Sequence, residues 1–148
     1  MTNMNVLQIS AQDTYPIRAQ ILRPGRPIED CIFRGDDDEQ TFHLGAFVAG
    51  KLVSVASFYF EKHQMLDDTY QFRLRGMATI PEFQGQGLSS SLLKTAFPLI
   101  KKNFCTLLWC NARESALGFY RKVGFEQVGG VFDIPEIGPH RLMFIKLN

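Results

Sequence analysis

The chain has 148 residues, of which 45% are hydrophobic and 21% charged, and its formal net charge is +1. This length and composition fit a single domain over residues 1–148 and exclude a disordered or collagen-like chain. A near-neutral chain gives no sign of a nucleic-acid partner, because such partners favour a strong basic excess. The three cysteines form no CxxC pair, which indicates free thiols in a reducing cytoplasm. No signal peptide and no apolar run of about 18 residues is found, so no membrane association is expected.

Hydrophobic periodicity predicts alternating strands and helices along the whole chain. Arg23–Pro27 ends the first helix, and a short turn at 49–51 predicts a hairpin. Gly76 interrupts the third strand of the following meander, which is typical of a β-bulge, and Pro98 is expected to kink or shorten the next helix. The predicted strands are 6–9, 43–49, 52–61, 70–80, 106–110, 126–133 and 140–147, and the predicted helices are 14–22, 88–102 and 114–123.

This order of elements predicts an α+β fold. The strand–helix–strand unit around the helix at 88–102 requires a parallel, right-handed crossover within an otherwise antiparallel sheet. We therefore expect a mixed, mostly antiparallel central sheet with helices on both faces.

Neither the acidic residues nor the histidines predict a metal site. The run Asp36–Glu39 lacks the alternating spacing of a hard-cation loop and is interpreted as a solvated turn. His43 and His63 have no metal-ligand spacing to a cysteine or an acid, so no metal is expected.

The most informative segment is the glycine-containing loop before the helix at 88–102. Helix N-termini leave backbone N–H groups unpaired and carry a partial positive charge, and glycines let the backbone approach a ligand closely. The loop is therefore expected to bind a phosphate or pyrophosphate. A P-loop needs Gly-Lys-Ser/Thr, but Leu88 follows Gly87, and a dinucleotide fingerprint needs a third glycine where Ser90 stands. A coenzyme A pyrophosphate loop is the third alternative.

Two segments resemble the GNAT superfamily of acyl-CoA-dependent N-acyltransferases. They are MATIPEFQGQGLS at 77–89 and NARESALGFYRKVGF at 111–125, and Ser89 departs from the pattern where the family usually has glycine or alanine. The segments at 15–18, 22–25 and 138–141 are similar to a bacterial branch of the family. The resemblance implies the GNAT fold, in which two splayed parallel strands leave a V-shaped cleft.

The resemblance also implies that acetyl-CoA is the cosubstrate. Backbone groups of Met77 and Thr79 would pair with the pantetheine arm as an added strand does. Asn111 would contact the same arm, with an N-cap or turn role as its alternative. The implied cofactor-binding residues are Met77, Ala78, Thr79, Gln84, Gly85, Gln86, Gly87, Leu88, Ser89 and Asn111.

Tyr120 matches the family tyrosine whose hydroxyl reaches the thioester sulfur. A thiolate leaves with a pKa near 8.5, and a phenol with a pKa near 10 can supply its proton. The general base stays open, because Arg73 and Arg75 stand where some members carry a glutamate, which leaves Glu61 and His140 as candidates. The two arginines are candidates for binding a substrate carboxylate, with an exposed sheet face as the alternative.

The sequence therefore predicts an N-acetyltransferase that moves an acetyl or other short acyl group to an amine by direct attack in a ternary complex. The acceptor would be a small molecule or a peptide. The sequence leaves the oligomeric state open, with a homodimer as one alternative. A non-catalytic acyl-CoA-binding module on the same fold is the alternative, and a nucleotide-binding oxidoreductase is a third. Cys110 has no histidine near it in sequence and is interpreted as a buried small hydrophobe.

Overall fold

One seven-stranded sheet organises residues 3–148, the part of the chain that the computed structural model describes. The strands are β1 (Met4–Ile9), β2 (Phe42–Val48), β3 (Lys51–Phe60), β4 (Gln71–Thr79), β5 (Leu107–Arg113), β6 (Glu126–Ile134) and β7 (Gly138–Lys146). The helices are α1 (Ala11–Ile17), which continues as a π-helical turn (Arg18–Leu22), α2 (Leu88–Lys102) and α3 (Leu117–Val123). Short 3₁₀ turns lie at Ile28–Cys31, Pro81–Phe83 and Glu114–Ala116.

The strand order is β1-β2-β3-β4-β5-β7-β6, and β4 and β5 form the parallel pair within this antiparallel arrangement. The predicted mixed α+β sheet is therefore confirmed. None of the helices among the described residues is long and apolar enough to cross a membrane.

Helices cover both faces of the sheet. On one face, α2 buries Leu92, Leu93 and Ile100 completely against a core that includes Phe58 of β3. Side chains alternate along a strand, so the neighbours Ser57 and Tyr59 face the other side, where Arg18 hydrogen-bonds both. Pro98 does not shorten α2, which reaches Lys102. Proline has no N–H, so the backbone carbonyl one turn before Pro98 lacks its helical hydrogen bond. This carbonyl lies on an exposed turn, where water can donate to it.

The parallel strands separate soon after they meet. They pair from Gln71–Leu107 to Arg73–Trp109, and both strands then continue without pairing to each other. The predicted bulge at Gly76 is confirmed, since its φ is +66° and the β3–β4 register shifts there. The bulge increases the local twist of β4, which helps to turn its end away from β5. The predicted splayed pair is thus present, with an open backbone edge on each strand.

Most element boundaries differ from the predicted ones by one to three residues, and two of the differences have a clear physical cause. The first helix begins at Ala11, before the predicted Thr14, because Ser10 and Asp13 form a reciprocal capping box. β5 runs past the predicted Cys110 to Arg113, because pairing with β7 continues to His140. Asn111 therefore lies inside a strand, and its N-cap alternative is wrong.

The prediction of a solvated acidic turn is wrong for Asp36. Asp36 is buried and accepts hydrogen bonds from Arg18 at 2.7 and 3.1 Å and from the Tyr59 hydroxyl at 2.5 Å. Arg18 is fully buried and also donates to the Ser57 hydroxyl and the Cys31 carbonyl. A buried charge is tolerated only when it is paired and hydrogen-bonded, and the network provides both. It fixes the π-helical turn and the following loop against β3.

Candidate active site

The glycine loop forms a left-handed turn that leads directly into α2. Gly85 and Gly87 have φ values of +77° and +80°, and a Cβ added to either would meet nothing within 4 Å. These glycines are therefore required by backbone conformation and not by lack of space. Gly87 is the N-cap of α2 and supplies no side-chain hydrogen bond, so the first-turn N–H groups face the cleft without a side-chain cap. Such a helix start is suited to an anion.

A cavity of about 870 Å³ lies beside this loop, between the end of β4 and helices α2 and α3. The predicted cofactor-binding residues line it, except Gln86 and Asn111. Gln84 donates from its side chain to the Thr79 carbonyl at 3.0 Å. Lys94 and Lys122 also line the cavity, and neither was predicted from the sequence. They lie on different helices, so no sequence motif connects them, yet both add positive charge where a phosphate group would bind.

Replacing Gly87 with alanine should weaken coenzyme A binding by about 5- to 30-fold, because a left-handed alanine costs about 1–2 kcal/mol. The loop would relax and move its N–H groups away from the ligand. Calorimetric titration with coenzyme A measures the effect. Gly118→Ala in α3 is the matched control, since its added Cβ also meets nothing and its φ is ordinary. An unchanged Kd in Gly87→Ala would contradict the role of the loop.

A second cavity, of about 450 Å³, lies between the diverging strands. Met77, Ile21, Ala116 and Tyr120 line both cavities, so these residues form the junction between them. Tyr120 is 8% exposed and packs edge-on against Phe119 and Phe125. Burial, together with the neighbouring Cys110, raises the pKa of Tyr120 well above its usual value. The phenol is therefore protonated at neutral pH.

Of the two candidate bases, the structure brings only His140 into the cavity that Tyr120 lines. His140 is buried, and its Nδ1 lies 2.8 Å from the Gly138 carbonyl. A carbonyl only accepts, so Nδ1 is the nitrogen that carries a proton, and Nε2 is the nitrogen that faces other partners. Glu61 follows β3, forms an ion pair with Arg73 at 3.2 Å and lines a separate surface hollow.

Arg73 and Arg75 lie on β4 and line both the second cavity and the hollow beside Glu61. Both side chains are partly buried, so neither lies on a fully exposed sheet face. Arg73 stacks on Trp109, with 4.8 Å between its Cζ and the ring centroid. Burial, followed by the charge of Arg73, lowers the pKa of Arg75.

Asn111 lies in the second cavity rather than beside the glycine loop. Its Oδ1 is buried and has no hydrogen-bond partner among the described residues. A buried amide oxygen without a donor is costly, so this atom suits an N–H group of a bound ligand. The pantetheine arm carries such amides.

Known proteins share both the sequence pattern and the fold. The model of the acetyltransferase (GNAT) family matches residues 5–125. The uncharacterized N-acetyltransferase YitI of Bacillus subtilis (strain 168) is 42% identical over 145 residues, which cover 98% of this chain and 97% of that protein. The ribosomal-protein-S18-alanine N-acetyltransferase of Escherichia coli has a similar fold, with a TM-score of 0.72, 17% identity and coverage of 98% and 94% of the two chains.

A structure of an aminoglycoside 6'-N-acetyltransferase complexed with coenzyme A also has this fold, with a TM-score of 0.73, 11% identity and 97% coverage of each chain. The splayed strands, the glycine loop and these similarities define an acyl-CoA-dependent acyltransferase. The chain belongs to the GNAT acetyltransferase family.

Proposed function

We propose that the protein transfers an acetyl group from acetyl-CoA to an amine by direct attack within a ternary complex. The observation that carries this proposal is the position of Tyr120, which lies where the two cavities meet. The cavity beside the glycine loop suits the cofactor, and the cavity beyond Tyr120 suits the acceptor. A thioester that reaches the junction would then meet the amine next to the phenol.

In this reaction, the amine nitrogen attacks the thioester carbonyl, the C–N bond forms and the C–S bond breaks. Tyr120 gives its proton to the departing sulfur, and His140 takes a proton from the amine. Burial raises the pKa of Tyr120, and the same dry surroundings would raise the pKa of the departing thiol in the same direction. An alkylamine is almost fully protonated at pH 7. Removing this proton requires about 4–5 kcal/mol, so the reaction needs a base.

A covalent acyl-enzyme on Cys110 is disfavoured by the state of its thiol. Burial raises the pKa of Cys110 to about 12, and the thiolate is the nucleophilic form. Initial rates measured against both substrates, with coenzyme A release as the readout, test the mechanism. Intersecting double-reciprocal lines support the ternary complex, whereas parallel lines indicate a covalent intermediate. No coenzyme A release with any amine would support the non-catalytic module instead.

Replacing His140 with glutamine should lower kcat by about 10²-fold or more, because general base catalysis contributes about 10²- to 10⁴-fold. Glu61→Gln is the matched control and should change kcat by less than about threefold, since it breaks only an exposed ion pair. Both variants are compared by coenzyme A release at saturating acetyl-CoA. A larger loss of kcat in Glu61→Gln than in His140→Gln would indicate that Glu61 is the base.

A further inference from the structure

We propose that the acceptor amine also carries an anionic group, a carboxylate or a phosphate, and that Arg75 and Arg23 bind this group in the cavity beyond Tyr120. This inference rests on the proposed transfer to an amine and specifies the class of acceptor. It extends the expectation for Arg73 and Arg75 by adding Arg23 from another part of the chain and by separating the roles of the two β4 arginines.

The first support for an anionic acceptor is the positive charge of the cavity. Four arginines line it, and among the described residues that line it none is an aspartate or a glutamate. They come from three separate parts of the chain: Arg23, Arg73 with Arg75, and Arg113. A positive chamber repels an ammonium group, so an acceptor with only a positive charge would bind poorly. An anionic group elsewhere on the acceptor compensates for this repulsion.

The second support is that three of these guanidinium groups have no carboxylate partner among the described residues, and two of the three, Arg23 and Arg75, are partly buried while Arg113 is exposed. Among the described residues, Arg75 has no ion-pair or hydrogen-bond partner, and Arg23 donates only to the carbonyl of its neighbour Leu22 at 3.2 Å. Arg73 is already held by Glu61 and by the ring of Trp109. The guanidinium groups without a carboxylate are those with capacity for a bidentate anion.

The ring of Phe33 contacts both of these arginines. The Cζ atoms of Arg75 and Arg23 lie 4.4 Å and 5.7 Å from the centroid of the Phe33 ring. Burial lowers the pKa of both side chains, and neighbouring arginines lower it further. Each side chain is therefore a partly desolvated cation close to other positive charges. A bound anion would offset both the repulsion and the desolvation cost.

The third support is an unsatisfied donor at the same cavity. Arg73 Nε is buried and lacks a partner among the described residues, although the other end of this guanidinium is held by Glu61. A buried N–H group without a partner suits an acceptor oxygen of a bound ligand, which a carboxylate or phosphate supplies.

The arginines would also assist the chemistry. Positive charge close to an ammonium lowers the pKa of that ammonium, because like charge disfavours the protonated form. A larger fraction of the bound amine is then neutral and able to attack. The same arginines would thus select the acceptor and lower the free energy needed to deprotonate its amine.

The test compares acceptors in matched pairs that differ in one anionic group. O-Phosphoethanolamine is paired with 2-methoxyethylamine, and β-alanine with β-alaninamide. We expect kcat/KM to favour the anionic member by about 10- to 150-fold, the range of a charge-assisted hydrogen bond. The two pairs distinguish phosphate from carboxylate. In Arg75→Gln and Arg23→Gln this preference should fall through a higher KM for the anionic acceptor, with the KM for acetyl-CoA unchanged.

Arg121→Gln is the control, because Arg121 lies on α3 outside both cavities and bonds to Gln127. Thermal unfolding of each variant verifies the fold, and calorimetry with O-phosphoethanolamine on the complex with coenzyme A provides a readout that needs no turnover. Equal kcat/KM within each pair would overturn the inference and leave the acyl transfer intact. A preference that survives in both arginine variants would also overturn it. Without coenzyme A release from any acceptor the transfer itself fails, and calorimetry still decides whether the anion binds.

Discussion

Replacing Tyr120 with phenylalanine is expected to lower kcat by about 10²- to 10⁴-fold, while the Kd for acetyl-CoA stays nearly the same. The ring would keep its packing against Phe119 and Phe125, so only the proton donor to the departing sulfur is lost. Burial raises the pKa of Tyr120 above 10, so the wild-type enzyme should not lose activity through this group below about pH 10. Single-turnover rates and calorimetry with acetyl-CoA separate the two effects.

Tyr70→Phe is the matched control for this substitution. Tyr70 is 55% exposed and stacks on Phe60, outside both cavities, so its hydroxyl has no part in the proposed reaction. The control should keep the wild-type kcat. If Tyr120→Phe also kept it, Tyr120 would not be the acid, and if it lost acetyl-CoA affinity instead, the residue would serve in cofactor binding.

Replacing Asp36 with asparagine is expected to lower the free energy of unfolding by about 3–5 kcal/mol, because it leaves the charge of Arg18 buried without a counter-charge. A loss of this size is a large fraction of the stability of an ordinary domain. Urea denaturation followed by circular dichroism measures it. Asp37→Asn changes the same residue type one position later on the exposed surface and should shift stability by about 0.5 kcal/mol or less.

The pH dependence of stability provides a second readout for the same network. Burial alone would raise the pKa of Asp36, but hydrogen bonds from Arg18 and Tyr59 outweigh it and hold the pKa below its usual 3.8. Asp36 therefore contributes stability above about pH 3.8, and this contribution is lost as the pH falls through the folded-state pKa. The loss in acid should be smaller in Asp36→Asn than in the wild type. Parallel acid dependence in the two proteins would contradict the assignment.

Local patterns were sufficient for the parts of the site that lie within one segment. The glycine loop was predicted because a strand, a left-handed turn and a helix start follow one another in 20 or so residues. The bulge at Gly76 was predicted for the same reason, since a glycine that interrupts a strand has few structural roles. The first helix boundary was missed because the Ser10–Asp13 capping box was not weighed against the apolar pattern that follows it.

Longer-range features were not predictable in this way. The acidic run at residue 36 looks like any solvated turn until Arg18 folds against it from 18 residues earlier. Lys94 and Lys122 reach one cavity from two helices, and Arg23 and Arg75 line the other cavity although they are far apart in sequence. His140 and Glu61 were equal candidates as bases, and only the sheet order separates them by placing β7 beside β5.

By itself, the sequence determined the class of fold and located the left-handed glycine turn and Tyr120, because each depends on residues that are close together along the chain. Tertiary structure alone decided which charges are buried, which cavity each side chain enters and which arginines are left without a partner. These properties depend on distances and desolvation between segments far apart in sequence, and neither periodicity nor motif spacing contains that information.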